Sequence, residues 1–221
     1  MSKSGDTDVR TSFPLDRLDH LIYATPDLDA TVADIEAALG VRASPGGSHP
    51  GRGTRNALIA FGPSSYLEIM GPDPNQPEPP RPRWLAIDAL TEPRLAAWAA
   101  NSADLNETVA AASRAGIQLG RIAHGSRQRT DGTTISWSFT DPTVVVDGGV
   151  VPFFIDWGAS VHPARSAARG VSLVAFAAQH PNANAVRERL DALGLSLDVA
   201  DGAKPALVAT LASASATITI R

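Results

Sequence analysis

Residues 18–40 read LDHLIYATPDLDATVADIEAALG. An apolar run of strand length gives way to turn residues and then to a helical pattern. Leu28, Val32, Ile35 and Leu39 recur at i, i+4, i+7 and i+11, which places them on one helix face. Thr25 is read as the N-cap, Pro26 as the first helical position and Gly40 as the stop. Two more stretches share this shape: RLAAWAANSADLNETVAAASRAG at 94–116 and VSLVAFAAQHPNANAVRERLDALG at 171–194. Thr25 and Ser102 are 77 residues apart, as are Leu28 and Leu105, Thr31 and Thr108, and Val32 and Val109. Such register marks an internal repeat.

Strand signals follow each helix. They are 56–62 and 65–71 in the first unit, 133–139, 143–149 and 151–157 in the second, and 206–211 and 216–220 in the third. Ile135, Trp137 and Phe139 alternate with polar residues, as a half-buried strand requires. Each unit is therefore a strand, a helix and two or three strands. One such unit cannot bury its sheet face alone, so two must share a core. The segment 72–83 is rich in proline and reads as an extended linker. The expected organisation is a disordered tail over 1–14, paired modules over 15–161 (15–71 and 84–161), and a third, partial βαββ module over 162–221 that opens on a joint at 162–170. The uncovered face of that third module leads us to expect packing on the first two or a homodimer.

The chain has 221 residues, 5 histidines, no cysteine and a formal net charge of −4. Disulfides, thiolate zinc sites and cysteine nucleophiles are excluded. The charge balance offers no footprint for nucleic acid. No apolar run approaches the roughly 18 residues of a membrane span. The polar N-terminus lacks the apolar stretch of a signal peptide, and a cytoplasmic protein is expected.

Three features stand out as chemistry. His20 shares a strand face with Leu18 and Ile22, either as a core histidine satisfied by a carbonyl or as a ligand. Glu68 sits mid-strand in Tyr66-Leu67-Glu68-Ile69-Met70, where an ionised carboxylate is costly without a cation or donors, unless the strand is an edge that turns Glu68 to water. The glycine-rich stretch 46–56 carries His49, Arg52, Thr54 and Asn56. It is either a plain turn or a cradle in which backbone N–H groups and Arg52 hold a carboxylate or phosphate. It lacks the spacing of a P-loop. Trp137 and Phe153 could wall a ligand or fill a core. Arg127 and Arg129 precede a turn at Asp131-Gly132. His162 is read as a joint residue, His124 as surface loop and His180 as a helix N-terminus.

Tandem βαβββ units with DHL in the first strand and YLEIM in the last resemble the vicinal oxygen chelate superfamily. Within it, LDHLIYATPDLD followed by PGGSHPGRGTRNALIAFG and YLEI is similar to the glyoxalase-like domain family, over roughly residues 16–160. The resemblance implies an α+β fold in which two modules curl into an open cleft, with metal ligands on the first and last strands of each. His20 and Glu68 match those positions in the first module. The second offers no partner for His20, and Asp156 is the best analogue of Glu68. The expected enzyme is a lyase or isomerase, or a dioxygenase with iron. It would hold a divalent metal (Zn, Ni, Mn or Fe) on His20, Glu68 and either His49 or Asp156, with Glu68 or Asp156 as general base. The alternative is a binding protein that sequesters a small anionic or aromatic ligand without metal, using His20, Glu68, Arg52, Asn56, Trp137 and Phe153.

Overall fold

A computed structural model of the chain describes residues 17–128 and 132–221. The tail expected over 1–14, along with Arg129 and Asp131, lies outside the described residues. The first module comprises β1 (Leu18–Ala24), α1 (Leu28–Leu39), β2 (Ser44–His49), β3 (Thr54–Ala60) and β4 (Tyr66–Pro72). The second comprises β5 (Arg94–Asn101), α2 (Leu105–Arg114), β6 (Ile122–Gln128), β7 (Thr134–Thr140) and β8 (Phe153–Asp156). Their strands form one sheet in the order β2-β3-β4-β1-β5-β8-β7-β6. In each module the first and last strands pair in parallel. The modules join through antiparallel β1 and β5. Leu21 pairs with Trp98, its own counterpart 77 residues on, so a pseudo-twofold axis passes between them.

Strand alternation gives the sheet two different faces. Leu21, Leu67, Trp98 and Phe154 join the helices in the main core. Ile22, Met70, Ala97, Ala99, Phe153 and Ile155 point the other way. At the sheet's two edges, Arg127 on β6 donates to the carbonyl of Gly46 on β2 at 2.5 Å, which brings the edges together and curls the sheet.

The helix caps correct the sequence reading by two residues. Asp27 and Asp104 are the N-caps, each accepting from the N–H three residues on. Thr25 and Ser102 instead brace the turn, each bonded to a threonine hydroxyl inside the helix. The repeat register survives this correction, because every one of these pairs is 77 apart.

Within the two modules the structure adds two strands to those expected and removes one. β2 reads SPGGSH, and its backbone is usable because Gly46 has no Cβ: one there would lie 2.1 Å from Asn56 Oδ1. β6 reads IAHGSRQ, part of which was expected as surface loop. The expected strand at 143–149 is a turn and a single helical turn. Asp147, Gly148 and Gly149 all take positive φ, which no strand tolerates, and Val145 faces solvent.

The third unit holds β9 (Val171–His180), α3 (Ala183–Ala192), β10 (Asp198–Asp201), β11 (Ala206–Ser213) and β12 (Thr217–Ile220). Its order, β10-β9-β11-β12, differs from the modules. Here the first strand pairs in parallel with the strand straight after the helix, not with the last. The unit has one strand more than the expected βαββ outline. Its buried face continues the main core, with Phe176 edge-on to Trp98 at 5.4 Å and Leu95 N–H donating to the Arg221 carbonyl. The face that motivated the expected homodimer is therefore covered within the chain. No helix of the described residues is long and apolar enough to cross a membrane.

Candidate functional site

The inner face of the curled sheet bounds a cleft of about 390 Å³. Its lining includes His20 from β1, His49 from β2, Asn56 from β3, Tyr66 and Glu68 from β4, Arg127 from β6, Trp137 from β7 and Phe153 from β8, with Arg52 at the β2–β3 turn. Seven of the residues expected at the site thus meet in one cavity. His124, expected on a surface loop, reaches its rim.

Two expected residues lie elsewhere. Thr54 is fully buried behind His49, where its hydroxyl bonds Nδ1 at 2.9 Å, so it orients the ring and does not line the cleft. Asp156 faces away from the cleft, since Phe153 and Ile155 take the inward positions of β8. Its carboxylate accepts the Gly158 N–H. Strand register explains the error. Glu68 pairs with Ile22, and Ala99, the counterpart of Ile22, pairs with Phe153. The second-module counterpart of Glu68 is therefore Phe153, and that of His20 is Ala97.

Glu68 is 5% exposed. Oε2 lies 3.5 Å from His20 Nε2, and Oε1 lies 3.8 Å from His49 Nε2. The Asn56 amide donates to Oε1 at 2.5 Å and stands 3.3 Å from His49 Nε2. One NH2 group thus serves both neighbours, which makes His49 Nε2 an acceptor and Nδ1 the donor to Thr54. Burial first, then the charges of Arg127 and Arg52, hold the His49 imidazole below its ordinary value, against the pull of Glu68.

Behind His20 sits a group that the sequence reading missed. Asp19, 1% exposed, bonds His20 Nδ1 at 2.7 Å through one oxygen. Its other oxygen accepts from Trp157 Nε1 at 3.0 Å and faces His162 Nε2 at 3.2 Å. Burial alone would raise this carboxyl, but hydrogen bonds from His162 and His20 hold it below the usual carboxylate range. His162 Nδ1 accepts the Ala164 N–H, so Nε2 carries the proton that Asp19 receives. Asp19 is therefore an anion that fixes Nδ1 of His20 as a donor and aims Nε2 at Glu68. Tyr66 stacks on the His20 ring at 4.8 Å. Burial, then Glu68 and Asp19, push its phenol well above the ordinary value, so it keeps its proton and can donate.

Replacing Asp19 by alanine would leave one buried and two partly buried donors without their acceptor. The expected loss is about 3 kcal/mol of stability, read as a shifted denaturant midpoint at constant slope. A shift below about 1 kcal/mol would contradict this account.

Acid should destabilise the fold in two steps. Below the ordinary histidine value of 6.5 the unfolded chain takes up a proton at His49 that the folded chain does not, so stability falls with pH. Asp19 has the same sign lower down: its folded value lies under the ordinary 3.8, and the stability it confers is lost as pH falls through that range. Thermal midpoints at pH 7 and 5 should drop for the native chain, and drop less for His49→Gln. Equal drops in both would show that His49 plays no part.

The residues do not fit the expected metal. Among the described residues no three His, Asp or Glu side chains are grouped to hold an ion. Ala97 and Phe153 replace the second module's pair, and the Asn56 amide already occupies one oxygen of Glu68. The same amide faces His49 Nε2, so His20 Nε2 and Glu68 Oε2 are the two donors left, fewer than protein sites for zinc or iron employ.

The profile of the glyoxalase-like domain family matches residues 18–194, which extends the likeness through the first strand and helix of the third unit. No curated protein matches. Among solved structures, a hypothetical protein from Staphylococcus aureus has 14% identity and a TM-score of 0.59, over 91% of this chain and 83% of its own. Methylmalonyl-CoA epimerase from Mycobacterium tuberculosis has 21% identity and a TM-score of 0.44, over 68% of this chain and 94% of its own. With two βαβββ modules joined about a pseudo-twofold axis, and a family match over most of its length, the chain belongs to the glyoxalase-like domain family of the vicinal oxygen chelate superfamily.

Proposed function

We propose that the cleft is the active site of an isomerase or lyase that moves a proton on a small oxygenated substrate. Glu68 is the general base and His20 its acid partner. One observation carries this reading: Glu68 is buried at the cleft wall, and its only basic partners within 4 Å among the described residues are two imidazoles. A structural ion pair would put an Arg or Lys there. Two acceptor atoms face each other across 3.5 Å, at His20 Nε2 and Glu68 Oε2, unless one of them carries a proton. That spacing exceeds a strong hydrogen bond and leaves the proton available to a substrate lying against both groups.

A carbon acid next to a carbonyl suits these groups. Glu68 takes the proton, and the charge that develops on the carbonyl oxygen meets the Tyr66 hydroxyl and the Arg127 guanidinium. His20, aligned by Asp19, gives the proton held at Nε2 to that oxygen or to the carbon, and Glu68 passes the proton it took back to Nε2, 3.5 Å away. No step passes through a metal.

The replacement of the second-module pair by Ala97 and Phe153 favours the other reading, a binding protein that uses the same cleft. Deuterium exchange separates the two. The protein is incubated in D2O with 2-oxo acids, hydroxyketones and 3-oxo acids, and the signal of the proton beside the carbonyl is followed by NMR. At least one class should exchange faster than in buffer. Compounds that bind, by tryptophan fluorescence, yet never exchange would overturn the enzymatic reading in favour of binding alone.

A further inference from the structure

The cleft does not end at Arg52. A second cavity of about 470 Å³ shares Pro50, Arg52, Trp84 and Phe139 with it. Its far side is built from the proline-rich segment, with Pro79, Pro80 and Pro82 beside Arg81 and Arg83. This segment has the composition of a linker, but it is fastened down. Arg83 donates to the Gly53 carbonyl and pairs with Glu78 and Asp88, while Gln76 donates to the Thr54 carbonyl. Proline-rich backbone held at both ends makes a stiff wall.

The shared boundary carries unused donor capacity. The Arg52 guanidinium lies over the rings of Trp84 and Phe139, at 5.3 and 5.8 Å, and has no ion pair among the described residues. Ring faces hold the cation in place and leave its N–H edge open, the geometry that receives a planar anion. Trp84 Nε1 is buried and has no hydrogen-bond partner among the described residues. On the groove's other side Asp141 accepts from Thr143 and keeps its charge, while Arg83 is tied to two carboxylates. Arg52 and Arg81 are the cations at this boundary that have no ion pair among the described residues.

We propose that the substrate has two parts: a small carbonyl-bearing head in the first cavity, and a chain in the second groove whose anionic group, a carboxylate or phosphate, is held by Arg52. This rests on the acid–base reading for the head alone. The tail is read from the groove and its cation.

A series of methyl ketones tests it by binding. A terminal carboxylate is placed two, four or six methylenes from the ketone, and each acid is compared with its methyl ester by calorimetry. Phosphonate-ended versions distinguish a preference for phosphate. One chain length should bind best, with the acid about tenfold tighter than its ester. Arg52→Gln should erase that preference, bringing each acid to the affinity of its own ester. Thr143→Trp, which fills the groove, should erase the length dependence and keep the shortest ketone. Acids and esters of equal affinity at every length, a preference that survives Arg52→Gln, or no binding by any member would each overturn the proposal. If the series holds and deuterium exchange fails, only the acid–base reading falls; if exchange holds and the series is flat, only the tail does.

Discussion

Glu68→Gln should lose proton exchange by about a thousandfold, the range that general acid–base groups supply, while the chain folds and binds ligands as before. The substitution suits the site unusually well. The amide oxygen can still accept from Asn56, as Oε1 does now at 2.5 Å. The amide nitrogen takes the place of Oε2 and donates to His20 Nε2, whose own proton sits on Nδ1 facing Asp19. Every hydrogen bond of the wild-type site keeps a partner, so the buried group carries no new penalty. The substitution removes the proton acceptor and occupies the Nε2 through which His20 acts as acid, so both halves of the proton transfer stop. Binding constants from tryptophan fluorescence should change less than about threefold, well under 1 kcal/mol. Loss of binding together with loss of exchange would mean that Glu68 holds the ligand and does not act as the base. Full retention of exchange would mean that the base lies elsewhere, with His49 the next candidate. His20→Gln gives a second handle: it should lower the rate less, because water can return the proton where no other base can remove it.

How much of this was legible follows from what each signal depends on. The β1–α1 stretch announces itself because apolar alternation turns into a helical period across four residues, and the second copy repeats it in register. β2 and β6 stayed hidden because their strand character is tertiary. Gly46 is there to admit Asn56, and Gly125 to admit Trp137, against whose ring a Cβ would lie 2.5 Å away. Neither glycine favours a strand on its own. At the site, His20 and Glu68 were legible because a polar group in an apolar strand demands a reason. The Asp19–His162 contact was not, since it spans 143 residues and joins the first strand to a joint outside both modules. Asp156 was chosen as the nearest carboxylate on the right strand. Only the pairing of Ala99 with Phe153 shows which residue takes the position equivalent to Glu68.

That equivalence yields a sharper test, because the missing half of the superfamily's ligand set can be put back. Ala97→His together with Phe153→Glu should convert the cleft into a metal site. Ala97 pairs with Ile22, one step diagonally from His20 on the same cleft-facing side. Phe153 already contacts the His20 ring edge-on at 5.6 Å. Two histidines and two glutamates would then surround the pseudo-twofold axis, each pair on its own parallel strands. Four-ligand protein sites hold zinc with about 10 kcal/mol or more, which is submicromolar, against roughly millimolar for a pair of donors. The variant pays for this in the absence of metal, since Phe153 is 9% exposed and its removal costs packing while a second carboxylate crowds the first. Its thermal midpoint should therefore start below that of the native chain and climb steeply with added zinc, as a ligand that binds only the folded state requires. The native chain should show little climb. A native chain that takes up one zinc with submicromolar affinity would refute the argument from the donor set, and a double variant that folds yet ignores zinc would show that the two modules no longer face each other closely enough to share an ion.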